Sequence, residues 1–141
     1  MNDVVRRWAR EPRSATRARA ELRKALAGWG LTGLEYDAMV VLSELVTNAV
    51  RHATGPGDRQ IETRFSVVPR GVRIEVHDAC ATRPEMPVPD DARDGGRGLF
   101  VVSSLADRWA VGERDGVGKR VWAELWTPAT GGVADAAGVW R

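Results

Sequence analysis

The sequence has very little cysteine and lysine, and it lacks long apolar runs. Its 141 residues include one cysteine, Cys80, and no apolar run that could span a membrane. A single cysteine excludes an internal disulfide and a multi-cysteine zinc site, so Cys80 is interpreted as a small, at least partly buried thiol. The N-terminal residues contain no signal-peptide core, which predicts a cytoplasmic protein without membrane contact.

The charge balance gives weak support for nucleic-acid binding. The formal net charge is only +2, from 21 Lys and Arg against 19 Asp and Glu. The basic excess is local, because residues 1–24 hold eight Arg and Lys against three Asp and Glu. A solvated, partly frayed basic helix is the preferred interpretation of this segment, and a surface for an acidic partner is the alternative. Direct contact with nucleic acid is not expected.

Two helices are predicted in the first half of the chain. Residues 14–27 have helical periodicity, with Ser14 as a candidate N-cap, and the sequence "GWG" at 28–30 ends this helix. A second helix is predicted from Glu35 to Ala53. Its apolar stripe has the spacing of a helix that packs on a core, and comprises Ala38, Val41, Leu42, Leu45 and Ala49.

The period then changes to two, which predicts strands. Two hairpins are expected, separated by a long loop at 79–97 and a short helix that contains Leu99, Val102 and Leu105. The four predicted strands are 60–68, 72–78, 108–113 and 119–126. This order predicts an α+β fold: a two-layer sandwich with a mixed, mainly antiparallel sheet and helices on one face. One domain is expected over 12–127, with flexible tails at 1–11 and 128–141.

Glu44 and Asn48 are unusual within the apolar second helix. They lie four residues apart in "SELVTNAVRHA" (43–53), on one side of the helix at the edge of its apolar stripe. A semi-buried polar pair that bonds to itself or to the backbone would explain them structurally. Taken alone, this structural explanation is preferred, since Glu-x-x-x-Asn is common by chance.

Three later features favour a functional site. Asp78 closes the second predicted strand, and "GGRG" at 95–98 opens a helix where backbone N–H groups can approach an anion. The sequence "GVGK" at 116–119 precedes the last strand. Each feature has an ordinary structural explanation, as a strand end, a loop hinge and a hairpin turn. All of them in this order are harder to explain by structure alone.

These residues resemble a known superfamily. The order of "SELVTNAVRHA", "EVHD", "GGRGL" and "GKRVWAEL" is similar to the Bergerat-fold ATP-binding domain of the GHKL ATPases. Within that superfamily the likeness is greatest to the small anti-sigma factor serine/threonine kinases of the RsbW type, in particular the short actinobacterial ATP-binding regulators. It extends from about Pro12 to Trp126, and it is most specific in residues 44–53.

The resemblance implies a role for each motif residue. Asn48 would bind Mg²⁺, Glu44 would be the general base, and Asp78 would accept a hydrogen bond from the adenine amino group. The 79–97 loop would be a lid over the nucleotide. The remaining cofactor-binding residues implied by the resemblance, which include the phosphate cradle, are Gly95, Gly96, Arg97, Gly98, Leu99 and Lys119. The implied cofactors are ATP and Mg²⁺.

Two residues depart from the superfamily pattern. Cys80 stands where Asp-x-Gly has its glycine, and Arg120 stands where many relatives have the threonine of Gly-Lys-Thr. A larger side chain at position 80 is expected to narrow the adenine side of the pocket. Arginine cannot reproduce the geometry of the threonine hydroxyl, so ATP affinity is expected to be sensitive to both changes.

The leading functional hypothesis, implied by the resemblance, is an ATP-dependent regulator. It would phosphorylate a serine or threonine of an antagonist protein, bind a sigma factor and form a homodimer. The alternative is a nucleotide-binding interaction module without phosphotransfer, which Glu44 disfavours and the changes at Cys80 and Arg120 favour. The catalytic domain of a histidine kinase is rejected, because no room is expected before residue 35 for a helical hairpin with the phosphoacceptor histidine. DNA binding has only the basic first helix to support it.

Overall fold

The structure is a computed structural model that describes residues 3–52, 60–78, 94–113 and 119–128. Three helices and five strands follow one another in these ranges, with a short 3₁₀ turn at Thr32–Leu34. The helices are α1 (Ser14–Gly28), α2 (Glu35–His52) and α3 (Asp94–Leu105). The strands are β1 (Val4–Ala9), β2 (Gln60–Val68), β3 (Gly71–Asp78), β4 (Arg108–Glu113) and β5 (Lys119–Trp126).

The five strands form one sheet in the order β1-β2-β3-β5-β4. All pairings among these described strands are antiparallel, so the expected mixed sheet has no parallel pair here. The predicted α+β sandwich is confirmed, and β3 is its central strand. Gly71 begins β3 where a Cβ atom would overlap the backbone carbonyl oxygen of Leu125 on β5, so a close approach of two strands requires glycine at this point.

The core lies between the sheet and the helices. Helix α2 packs on β3 and β5 and also contacts α1 and α3. The whole predicted stripe of α2 is buried, as are the inward residues of β3: Val72, Ile74 and Val76. Burial of this apolar stripe is the main stabilisation of the helix, because short helices are marginal in water. Among the described residues, no helix combines the length and the apolar character needed to cross a membrane.

The ends of α1 show one confirmed prediction and one correction. At the C-terminus, Gly30 has a φ of 72° and its N–H donates to Ala27, while the Leu31 N–H donates to Leu26. This Schellman arrangement confirms that "GWG" ends the helix. The predicted N-cap role of Ser14 is wrong: its hydroxyl donates to the carbonyl of Ala9 at 2.6 Å and joins the helix to β1 instead.

The expectation of a flexible tail over 1–11 is wrong for residues 4–9, which form β1 at the edge of the sheet. The interpretation of 1–24 as a frayed basic helix fails over the same residues. Val4 and Trp8 alternate toward the helices, and the Trp8 indole donates to Thr63 at 2.8 Å. Arg6 interrupts this apolar alternation: its side chain is half exposed and pairs with Glu21 on α1 at 3.6 Å.

The face of the sheet away from the helices, which we call the outer face, carries charged and aromatic side chains. They alternate with the core residues of β2, β3 and β5, since neighbouring strand residues point to opposite faces. The ionisable residues Glu62, Glu75, His77 and Glu124 are buried there, although no described helix covers them. His77 Nε2 and Glu75 Oε1 are hydrogen-bonded at 2.8 Å.

The two glutamates of this network have lowered pKa values. Burial raises the pKa of Glu75, but the hydrogen bond with His77 and the charges of His77, Arg73 and Arg120 outweigh burial, so the pKa lies below its ordinary value. Burial also raises the pKa of Glu62, and the hydrogen bond and charge of Arg64 are the main effects that bring it below the ordinary value. Both carboxylates are therefore more stable as anions in the folded protein than in the unfolded chain.

This network predicts a specific loss of stability in acid. A carboxylate with a lowered folded pKa contributes stability that is present above its unfolded pKa, about 4.3 for glutamate, and is lost as the pH falls through the lowered folded value. We therefore expect the unfolding free energy of Glu75→Gln to fall less steeply than that of the wild type below about pH 5. Urea denaturation between neutral and acidic pH measures this. Glu35→Gln, which removes one carboxyl group from the helix layer, is the control. Parallel plots of unfolding free energy against pH for the wild type and Glu75→Gln would contradict the prediction.

Candidate functional site

Asn48 lies in the last turns of α2, on the side that faces the core. The side chain is buried, with 6% of the residue exposed. Its amide oxygen Oδ1 is fully buried and has no hydrogen-bond partner among the residues that the structure describes. Leaving a buried acceptor without a partner costs about 1–3 kcal/mol. The purely structural interpretation requires a polar partner for this oxygen, and none lies among the described residues.

Glu44 lies one helical turn before Asn48 on α2. It is half-buried, between the fully buried stripe and the solvent-facing residues of the helix. Four residues along an α-helix correspond to a rise of about 6 Å, so the two side chains leave the same side of the helix at successive turns. The predicted adjacency of these two polar groups at the edge of the stripe is confirmed.

Asp78 ends the central strand β3 and faces the helix layer. It continues the alternation of Val72, Ile74 and Val76, and only 1% of its surface is exposed. Because α2 packs on β3, Asp78 and Asn48 both lie in the layer between the sheet and α2. A carboxylate buried at the end of a strand is suited to accept a hydrogen bond from a bound ligand.

Lys119 and Arg120 are the first two residues of β5. Lys119 is in register with Asp78, and Arg120 is in register with His77 on the outer face. The charge of Arg120 lowers the pKa of Glu75, which places its guanidinium in the outer-face network. The expectation that Arg120 alters the nucleotide pocket directly is therefore not supported. The strand alternation that places Asp78 inward contained this information, since Arg120 pairs with His77, the neighbour of Asp78 that points to the outer face.

The glycine segment begins α3. The helix starts at Asp94, so residues 94–97 are helical, and the predicted loop over 79–97 extended too far. Glycine costs about 1 kcal/mol in a helix interior, which favoured the loop interpretation, but packing of α3 against α2 outweighs this. Gly95 and Gly96 thus lie in the first turn of a helix, where N–H groups have no intrahelical partner, and Arg97 and Gly98 follow in the turn whose N–H groups bond back to the helix start. Residues 79–93, with Cys80 and most of the expected lid, lie outside the described residues.

Leu99 differs from the other predicted site residues, because it belongs to the core. It is 2% exposed and packs with Val102 in the cluster that also contains the α2 stripe. Its burial fixes the position of the glycine turn relative to α2. The structure thus brings Asn48, Asp78 and the backbone start of α3 to one layer, with Glu44 at its margin.

The part of the chain that carries these residues matches the model of a known protein family. The family model of the histidine kinase-like ATPase domain matches residues 8–125, which include every predicted site residue. The chain belongs to the histidine kinase-like ATPase domain family. Membership in this ATPase family implies ATP binding. A search of curated proteins found no match to the chain.

The residues of this histidine kinase-like domain fit the two groups that an ATPase site requires. The buried, unpartnered amide oxygen of Asn48 is the kind of hard oxygen ligand that Mg²⁺ accepts alongside phosphate oxygens and water. The N–H groups at the start of α3 can bind phosphate oxygens, and the helix dipole favours negative charge there. Sequence alone indicated these residues, but it could not show that the Asn48 oxygen lacks a partner.

Proposed function

We propose that this protein is a Mg–ATP-binding regulator of the anti-sigma factor type, which phosphorylates a serine or threonine of an antagonist protein. The observation that carries the proposal is the buried, unpartnered Oδ1 of Asn48, one turn after a half-buried glutamate. Family membership supports the ATP-binding part of the proposal. The resemblance to RsbW-type kinases supports the phosphotransfer and the regulatory partners.

Asn48 holds the metal in this proposal. An amide oxygen that is buried without a partner among the described residues gains a strong partner when a cation binds, so the cost of burying it is recovered in the complex. Magnesium bound with ATP supplies neutralisation of the phosphate charge. Because Asn48 lies on a packed helix, it would hold the magnesium ion without rearrangement of the backbone.

Glu44 acts as the general base. Its carboxylate accepts the proton of the substrate hydroxyl as the hydroxyl oxygen forms its bond to the γ-phosphorus and the bond between that phosphorus and the departing ADP oxygen breaks. A half-buried position suits this role, because a protein substrate must reach the base from solvent. Its spacing of one turn from Asn48 keeps the proton transfer close to the metal-bound phosphates.

The other site residues bind the nucleotide. Asp78 accepts a hydrogen bond from the adenine amino group, which guanine cannot provide at the same position. The N–H groups of Gly95 and Gly96 cradle the phosphates at the start of α3, Arg97 and Gly98 continue that helix, and Leu99 anchors it in the core. Lys119, in register with Asp78, adds a positive charge at the same end of the sheet.

The partners follow from the proposed regulatory role. A sigma factor and an antagonist protein are the proposed macromolecular partners, and the active unit is a homodimer in the cytoplasm. The RsbW-type resemblance supports these assignments.

The role of Asn48 has a direct test. We expect Asn48→Ala to lose the magnesium-dependent part of ATP affinity, about ten-fold, because one metal ligand is removed while Asp78 and the α3 turn remain. Calorimetric titration with ATP, in magnesium and in EDTA, measures this difference. Asn48→Asp retains an oxygen ligand and is expected to keep the magnesium dependence.

The stability of Asn48→Ala provides a second measurement. Removing an unpartnered buried acceptor is expected to leave the unfolding free energy within about 1 kcal/mol of the wild type, since no internal hydrogen bond to Oδ1 is lost. A folded variant that binds ATP with unchanged magnesium dependence would contradict the assignment of Asn48.

A further inference from the structure

The outer face of the sheet is built in two layers of opposite charge. The carboxylates lie inside: the side chains of Glu62 and Glu124 are 9% and 8% exposed. The guanidinium groups lie over them, since Arg7, Arg64 and Arg73 have side-chain exposures of 69%, 40% and 28%. The negative charges are therefore withdrawn from solvent, and the accessible groups are cationic.

The ring of Trp122 contacts two arginines of this face. The Arg73 guanidinium stacks 4.1 Å from the centre of the Trp122 ring, and it also pairs with Glu124 at 2.9 Å. Arg108 lies 5.6 Å from the same ring. Among the side chains that the structure describes, no carboxylate pairs with Arg108. Arginine on tryptophan is an arrangement enriched at protein interfaces, and an arginine fixed in this way has less freedom to lose on binding.

The charge of the face determines the kind of partner. Five arginines from the strands (Arg7, Arg64, Arg73, Arg108 and Arg120) face three glutamates (Glu62, Glu75 and Glu124), an excess of two positive charges before His77 is counted. Two copies of this face would repel each other. A carboxylate-rich surface would be attracted, and guanidinium groups can bind carboxylates through paired N–H donors.

We propose that the outer face is a docking surface for an acidic segment of a partner protein. The segment lies across the sheet from Arg7 on β1 to Arg108 on β4, with its carboxylates on the outward guanidinium edges and its apolar atoms on Trp122. The nucleotide site faces the helix layer on the other side of the sheet, so docking leaves that site accessible. This surface is independent of the proposed phosphotransfer, and it stands if that activity fails.

A matched pair of double variants tests this surface. Arg7→Gln/Arg108→Gln removes two exposed charges from the outer face, whereas Arg17→Gln/Lys24→Gln removes two exposed charges from α1 on the other layer. The probe is a fluorescein-labelled oligoglutamate peptide, measured by anisotropy with the full-length protein, beside an uncharged oligoglutamine. We expect the outer-face variant to bind oligoglutamate about ten-fold more weakly and the α1 variant to stay within about two-fold of the wild type.

Three outcomes would overturn the proposal. Equal weakening in both double variants would mean attraction by total charge rather than by this face. Tighter binding of a single-stranded oligothymidylate, also lost in the outer-face variant, would assign the face to nucleic acid. A concentration-dependent dimer that the outer-face variant abolishes would assign it to a second copy of the chain. Circular dichroism confirms that both variants are folded.

Discussion

Glu44→Gln is expected to bind Mg–ATP as tightly as the wild type and to transfer phosphate about 10²–10⁴-fold more slowly. Glutamine keeps the size and hydrogen-bonding atoms of the side chain, but it cannot accept a proton in the reaction. The half-buried position of Glu44 limits any effect of the change on packing. The rate of ADP formation from labelled ATP, with water as the acceptor, measures the effect without a known protein substrate.

The chain offers a matched control for this variant. Glu35→Gln makes the same substitution in the first residue of α2, at the other end of the helix from Asn48. We expect it to leave the rate unchanged. If Glu44→Gln forms ADP at the wild-type rate, Glu44 is not the base. If the wild type binds ATP and forms no ADP with any acceptor, the binding module without phosphotransfer is the better account.

Asp78→Asn is expected to weaken ATP binding by about 100-fold or more, because it replaces a buried charged acceptor with an amide of the same shape. The amide keeps one acceptor oxygen, but that oxygen is uncharged and therefore a weaker acceptor, and the NH₂ group that replaces the second carboxylate oxygen cannot accept a hydrogen bond. Calorimetry with ATP measures the loss. Asp37→Asn on α2 is the matched control, and it is expected to bind ATP normally.

Nucleotide preference gives Asp78 a second measurement. The wild type is expected to prefer ATP over GTP, and Asp78→Asn is expected to lose most of that preference because its uncharged acceptor oxygen binds the adenine amino group less strongly. Retained selectivity in a folded Asp78→Asn variant would place adenine recognition elsewhere in the chain.

The regular parts of the fold were predictable from local patterns. The alternation in β2 and β3 and the apolar stripe of α2 gave the described strand and helix positions, because both elements bury one continuous face. Asn48 and Asp78 were also identifiable, since a polar residue at a core-facing position conflicts with its surroundings unless it has a function.

The remaining features depend on contacts between distant residues. Strand β1 was missed because Arg6 pairs with Glu21 on α1, a contact that no local pattern reveals. The start of α3 was missed because packing against α2 outweighs the low helix propensity of two glycines. The layered charges of the outer face arise from cross-strand pairs, which require the register of the sheet.

The central claim is that this chain binds Mg–ATP between α2 and β3. Calorimetric titration of the wild type with ATP, in magnesium and then in EDTA, tests it most directly. The account predicts saturable binding of one nucleotide per chain, with lower affinity when magnesium is removed. No heat and no thermal stabilisation at millimolar ATP with magnesium would contradict it, and the protein would then be a member of this ATPase family that retains the fold without the nucleotide.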